Sequence, residues 1–210
     1  MKVLVIGATG PTGERIVEQA LTQGHEVTAL VRNPDKLQMQ HNALRAVKGD
    51  VLDADSLLTA MQQQQAVISS LGTKKISLAP VTLFSIGTKN LLEAMQHYNV
   101  KRLVCITGIG AGDSKGHGGF LYDKLILPLV LKRIYDDKDR QEAEIRSSNL
   151  DWIIVRPGFL TNEPAKGSYR VLTDLTGVTA GKISRADVAT FVLQQLTDNR
   201  YLHQTPLISN

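Results

Sequence analysis

The chain has 210 residues, of which 42% are hydrophobic, 21% charged and 5% aromatic, and its formal net charge is +4. That length and composition suit one globular domain with a sizeable core and exclude a disordered or fibrous chain. The positive residues are spread out and not interleaved with aromatics, so no nucleic-acid face is expected, whereas anionic cofactors or substrates fit the charge well.

The chain enters a strand at once, Lys2-Val3-Leu4-Val5-Ile6, with no charged-then-apolar signal segment. Gly7-Ala8-Thr9-Gly10-Pro11-Thr12-Gly13 follows, and then a helix over residues 11–23. Strand, glycine-rich turn and helix stand in the order that dinucleotide binding requires. Glycine lets backbone approach a pyrophosphate, and the helix N-terminus offers free N–H groups to the phosphates. Pro11 fits the first helical position, where a missing N–H costs little. Gly7, Thr9, Gly10, Pro11, Thr12 and Gly13 are therefore candidate cofactor residues.

A second strand, Glu26–Val31, ends at Arg32-Asn33-Pro34-Asp35-Lys36. An acidic residue at this place holds the ribose hydroxyls of NAD, whereas arginine accommodates the 2′-phosphate of NADP. Arg32 stands there and Lys36 adds a second charge, so NADP(H) is the expected cofactor. Asp35 is the counter-evidence, unless it caps the short turn after Pro34.

Leu44–Lys48 is a third strand, followed by Gly49-Asp50-Val51, and Asp53 opens a short helix toward Met61. Ala66–Ser69 is a fourth, closed by Leu71-Gly72-Thr73-Lys74. A long helix is expected over residues 80–98, with Leu83, Ile86, Leu91 and Met95 at near-helical spacing. Arg102–Ile106 is a fifth strand, ending at Thr107-Gly108. A long helical region reaches to about residue 148, and a sixth strand over 152–155 leads to Arg156-Pro157-Gly158-Phe159.

Continuous apolar strands separated by helices predict an α/β fold. It is a doubly wound parallel sheet of the Rossmann type, one domain over residues 1–210, with ligands at the carboxyl ends of the strands. Asp50, Val51, Leu71, Gly72, Lys74, Thr107, Pro157, Gly158 and Phe159 all follow strands on that side and join the cofactor candidates.

The single Cys105 lies inside an apolar strand and reads as a buried packing residue in a reducing, cytoplasmic setting. Trp152 likewise reads as core. The five histidines are dispersed and do not suggest a metal site. The longest apolar run, residues 125–131, is far short of the ~20 residues that span a bilayer. No integral membrane segment is expected.

With these residues in view, the chain resembles the atypical short-chain dehydrogenase/reductase group. Gly7-x-x-Gly10-x-x-Gly13, Leu30-Val31-Arg32, Gly49-Asp50-Val51, Leu71-Gly72-Thr73 and Val155-Arg156-Pro157-Gly158 match it, as does Ile183-Ser184-Arg185-Ala186-Asp187-Val188-Ala189 near the C-terminus. Within the group it is most similar to the biliverdin-IXβ reductase/flavin reductase family. The resemblance implies an NADPH-dependent reductase of flavins, and of linear tetrapyrroles, acting on a flat small-molecule acceptor.

Two departures stand out. Ordinary short-chain dehydrogenases use a Tyr-x-x-x-Lys pair. Here Tyr98-x-x-Lys101 and Tyr135-x-x-Lys138 have a different spacing, which weighs against ketone reduction and sugar epimerisation. The flavin reductase family also carries a serine where this chain has Gly108, so a side-chain proton donor is missing. Flavin needs little acid help, because charge spreads over the ring. Thr107 is then the candidate catalytic residue in a positioning role. The alternative is an NADP(H)-binding redox sensor or assembly factor of the NmrA-like type, without turnover.

Residues 110–119 are rich in glycine and predict a hinged lid over the acceptor site, with Gly108, Phe120 and Tyr122 as the acceptor contacts. Core packing, or a partner or membrane-surface patch flanked by Lys124, Lys132 and Arg133, are the other readings of the segment after it.

Overall fold

The computed structural model describes residues 1–73 and 79–210. The first half alternates strand and helix as the apolar runs require. It comprises β1 (Lys2–Ile6), α1 (Pro11–Thr22), β2 (Glu26–Val31), β3 (Leu44–Lys48), α2 (Ala54–Met61), β4 (Ala66–Ser69), α3 (Leu83–His97) and β5 (Arg102–Ile106). The second half holds α4 (Lys132–Arg146), β6 (Asp151–Pro157), β7 (Phe159–Thr161), β8 (Arg170–Leu172), β9 (Lys182–Ser184), α5 (Arg185–Gln194) and β10 (Leu207–Ser209).

The main sheet has the order β3-β2-β1-β4-β5-β6-β10-β8. Strands β1 to β6 and β10 run parallel, and β8 closes the far edge antiparallel to β10. This is the doubly wound arrangement, and its polarity puts the ends of β1, β2, β4, β5 and β6 along one rim.

Both faces are covered. On one face α1 turns Ile16, Val17, Ala20 and Leu21 inward, where they meet Val3, Val5 and Phe191. On the other, α2, α3 and α4 bury Leu57, Met61, Leu91, Met95 and Ile145 against Leu4, Leu103 and Cys105. Each such buried side chain contributes about 1.5–3 kcal/mol.

Three features differ from the sequence reading. The helix expected from residue 80 starts at Leu83, because its N-terminus is capped from another element. Asp137 of α4 accepts from the Phe84 N–H at 2.8 Å and from the Ser85 hydroxyl at 2.5 Å. No local sequence signal carries such a cap.

The helical region before residue 148 is two segments. Tyr122–Leu131 winds as a π-helix through Pro128, which has no N–H to give to a ladder, and α4 follows directly. Thirdly, β7 to β10 are strands of three residues each, too short to show alternation in sequence. Among the described residues no helix is long and apolar enough to cross a membrane.

Candidate functional site: a dinucleotide cradle and a buried ionic network at the strand ends

At the end of β1, Gly7 has φ +80°, and a Cβ there would stand 2.3 Å from the Ser70 carbonyl oxygen. A Cβ on Gly13 would stand 2.1 Å from the Gly7 carbonyl oxygen. The turn closes by a Gly10 N–H bond to the Gly7 carbonyl at 3.0 Å. Gly10 is the N-cap of α1 and supplies no side-chain cap, and Pro11 takes the first helical position. Helix N–H groups with no side-chain cap, behind a turn from which side chains are excluded, form a cradle that fits a pyrophosphate. Thr12 is nearly buried beside it and Thr9 is half-buried.

Arg32 and Lys36 are exposed just past β2, and neither has an ion-pair partner among the described residues. Asp35 does not cap the turn. Asn33 does so, its side chain accepting from the Asp35 N–H at 3.0 Å. The Asp50 carboxylate accepts from the Leu52 N–H at 3.0 Å. Val51 is buried against Gly87 of α3, and its carbonyl accepts from Asn90 at 3.0 Å, so packing accounts for its side chain. Leu71 is half-buried and Gly72 is open to solvent at the end of β4. Lys74 lies outside the described residues.

The ends of β5 and β6 are built differently. Thr107 is buried and donates its hydroxyl proton to Glu142 Oε1 at 2.8 Å. Glu142 also accepts from Arg156 Nε at 3.0 Å, from Arg156 Nη2 at 2.6 Å and from Arg146 at 3.1 Å. Arg156 is fully buried, and its other terminal nitrogen reaches the exposed Asp113 at 2.5 Å. With its proton committed to Glu142, the Thr107 hydroxyl could meet a ligand only as a hydrogen-bond acceptor.

Gly108 follows with φ +138°, and the Tyr135 hydroxyl would lie 3.2 Å from a Cβ placed there. The Tyr122 hydroxyl donates to the Ile109 carbonyl at 3.0 Å. Burial pushes the Tyr135 phenol well above its ordinary range, and the Tyr122 hydroxyl beside it adds to the shift. Tyr135 is therefore a poor proton donor.

Gly158 is a packing position, since a Cβ there would stand 2.4 Å from the Gly181 carbonyl oxygen. Its neighbours Pro157 and Phe159 lie at the strand end, with Phe159 edge-on to Tyr122 at 5.2 Å between ring centroids. Of the two candidate acceptor rings, Tyr122 is buried and tied down, while Phe120 is 80% exposed.

The glycine-rich loop before them is pinned. Gly112 N–H donates to Asp139 at 2.8 Å, Gly110 N–H to the Ser114 hydroxyl at 3.0 Å, and Lys115 pairs with Asp139. A Cβ at Gly112 would meet the Arg156 guanidinium at 2.3 Å, so glycine there makes room for a buried cation.

Two residues of α4 set aside for their spacing in the sequence share a face of the helix. Tyr135 and Lys138 are three apart, which on a helix places them on one face just as a spacing of four does. Lys138 is buried over the Phe84 ring, 4.5 Å from its centroid, and has no ion-pair partner among the described residues. Burial lowers its ammonium to about 8, with Cys105, Glu142 and Asp137 opposing the shift. Cys105 is a packing residue as expected, its thiol pushed by burial up to about 12. Glu142 left no sequence signal, because its partners come from β5 and β6. Among the described residues no cluster of ligands could hold a metal.

A doubly wound sheet with this cradle at the end of β1 defines a dinucleotide-binding protein. The chain belongs to the NAD(P)H-binding family, whose profile matches residues 7–199. It is 33% identical over 207 residues to the uncharacterized chloroplastic protein At2g34460 of Arabidopsis thaliana, covering 93% of this chain and 71% of that one. It is 31% identical over 165 residues to the photosystem II assembly factor Ycf39 of Synechocystis, covering 76% of this chain and 45% of that protein. Its fold is also that of ChuY, an anaerobilin reductase from Escherichia coli O157:H7. That comparison gives a TM-score of 0.84 at 22% identity, covering 100% of this chain and 97% of ChuY.

Proposed function

We propose that the chain is a cytoplasmic, NADPH-dependent reductase of flat conjugated acceptors, flavins first and linear tetrapyrroles second. The observation that carries this reading is that Thr107, Gly108 and Tyr135 at the β5 end offer no ready proton. The Thr107 proton is committed to Glu142, residue 108 has no side chain, and the Tyr135 phenol is held protonated by burial. A ketone needs an acid at the moment of reduction. A flavin ring spreads the incoming charge and takes its proton from solvent.

NADPH, when bound, supplies the hydride. The residues Gly7, Thr9, Gly10, Pro11, Thr12 and Gly13 would hold the pyrophosphate, and Arg32 with Lys36 the 2′-phosphate. Asp50, Leu71 and Gly72 would line the adenosine and ribose path. Lys138, a buried cation without a carboxylate partner, would serve hydroxyl groups near the β5 end. Thr107, fixed as an acceptor, would position an amide or ring N–H, with Pro157 and Phe159 completing the wall. Gly108, expected as an acceptor contact, is buried with the Tyr135 hydroxyl where its side chain would be, which leaves Phe120 as the side chain free to close over an acceptor and exclude water. In this reading the protein positions two flat rings and does not itself donate the proton.

A second reading, an NADP(H)-binding sensor or assembly factor without turnover, is favoured by the same lack of a proton donor and by the similarity to Ycf39. Steady NADPH oxidation on adding FMN supports the reductase. NADPH binding without oxidation by FMN, riboflavin or a linear tetrapyrrole supports the second reading.

A further inference from the structure

Six large apolar side chains stand exposed between residues 120 and 130, namely Phe120, Leu121, Leu125, Ile126, Leu129 and Val130, with Phe120 at 80% and Leu129 at 77%. Elsewhere the exposed large apolar residues, Met1, Leu52, Ile86 and Leu160, are scattered singly. Single exposed side chains are normal for a folded surface, but a contiguous run marks a surface that something covers.

The segment is not a frayed end. Its inner side is fixed by the Tyr122 hydroxyl on the Ile109 carbonyl, and by Leu127 and Leu131 packed against Ile109, Leu175 and Leu207. The outward rows are therefore held on a firm base.

The charges beside the patch are unequal. Lys124, Lys132 and Arg133 are exposed. The nearby acids are engaged, Asp123 with the Gly118 N–H at 3.3 Å and Asp136 with Lys132 at 2.7 Å. Lys124 and Arg133 have no acidic partner among the described residues.

We propose that Tyr122–Leu131 and the two residues before it seat the protein on an anionic lipid surface. The apolar rows would enter the boundary between headgroups and acyl chains, and the free cations would meet the headgroup phosphates. A second copy fits less well, because a two-fold pairing of this patch sets its cations against the same cations of the other copy.

Position gives the surface a use. Leu127 and the Tyr122 hydroxyl approach to 3.1 and 3.4 Å of a Cβ placed on Gly110, at the end of β5. The lipid would thus lie beside the acceptor end of the site. Resting on the reductase reading, the acceptor class would extend to conjugated rings dissolved in the membrane.

The test is co-sedimentation of the NADPH-loaded protein with vesicles of phosphatidylcholine alone, or mixed with phosphatidylglycerol. The wild type should pellet with the anionic vesicles, and less as salt rises. Leu129→Ser/Val130→Ser should weaken that binding at least about tenfold, and Arg133→Glu should weaken it too, with NADPH affinity and melting temperature kept. A wild type that stays in the supernatant with both vesicles overturns the proposal, as does a double variant that binds like the wild type. A wild type that dimerises while the double variant is monomeric assigns the patch to a second copy instead. Because turnover is not read, failure here leaves the reductase reading standing, and a protein that reduces no flavin can still pellet.

Discussion

The two ends of the cleft are built from different materials. The cofactor end, at β1 and β2, is backbone: a turn closed on itself, glycines with carbonyl oxygens at 2.1 and 2.3 Å from where their Cβ atoms would be, and an uncapped helix start. The other end, at β5 and β6, where the proposed acceptor would sit, is side chain: Thr107, Glu142 and Arg156 in a buried chain of hydrogen bonds that surfaces at Asp113. A backbone cradle recognises a group common to many proteins and tolerates almost no substitution. A side-chain network fixes what its end of the cleft can donate and accept, and in the proposed reading it would set which acceptor is used.

Substitutions should separate the two ends. Gly7→Val places a side chain against the Ser70 carbonyl, and NADPH affinity should fall by at least about 100-fold in a nucleotide titration. Survival of tight binding would break the account of the cradle. Glu142→Ala leaves the Arg156 guanidinium buried with only Asp113, and chemical denaturation should show a loss of roughly 3–5 kcal/mol. Below the melting transition its NADPH affinity should stay close to that of the wild type, because the network lies at the other end.

Arg32→Ala should weaken NADPH by about 10- to 100-fold, the worth of hydrogen bonds to a charged group, and leave NADH nearly unchanged. Equal losses for both nucleotides would remove Arg32 from the 2′-phosphate.

A smaller effect tests Lys138. Burial holds its ammonium at about 8, below the unfolded value of 10.5. Between those values the unfolded chain binds more protons, so this group makes stability rise with pH across the window, while below about 8 its penalty is constant. Lys138→Met should remove that rise. The difference in stability between variant and wild type should be constant below pH 8 and shift in favour of the wild type from there toward pH 10. A difference that does not vary with pH would show that Lys138 is not desolvated.

The same contrast governs how much was legible in the sequence. The cradle is a run of neighbours, Gly7 to Gly13, between a strand and a helix, and every part of it could be read in order. The exposed position of Arg32 was legible because it directly follows an apolar strand. Glu142 and Arg156 were not, because the one is an acid on a polar helix and the other a charge at a strand end. They meet only when α4 packs beside β6, where Arg156 becomes fully buried.

The spacing rule that set aside Tyr135 and Lys138 looked for a separation of four, whereas a helix face also accepts three. The glycines of residues 110–119 looked like a hinge. Instead, Gly108, Gly110, Gly112, Gly116 and Gly119 hold positive φ in a loop tied to α4 and β6. The exposed run after the loop was visible as apolar sequence. Its outward orientation depends on Tyr122, Leu127 and Leu131 taking the inner places.

The central claim is hydride transfer to a flat acceptor with no essential side-chain acid. It is tested most directly by single-turnover reduction of FMN with NADPH carrying deuterium at the transferred position, in wild type, Thr107→Val and Tyr135→Phe. The account predicts a primary isotope effect in all three, a modest fall in rate for Thr107→Val, and little change for Tyr135→Phe. FMN left oxidised by a protein that binds NADPH would contradict it, as would a reaction abolished in either variant with NADPH affinity intact.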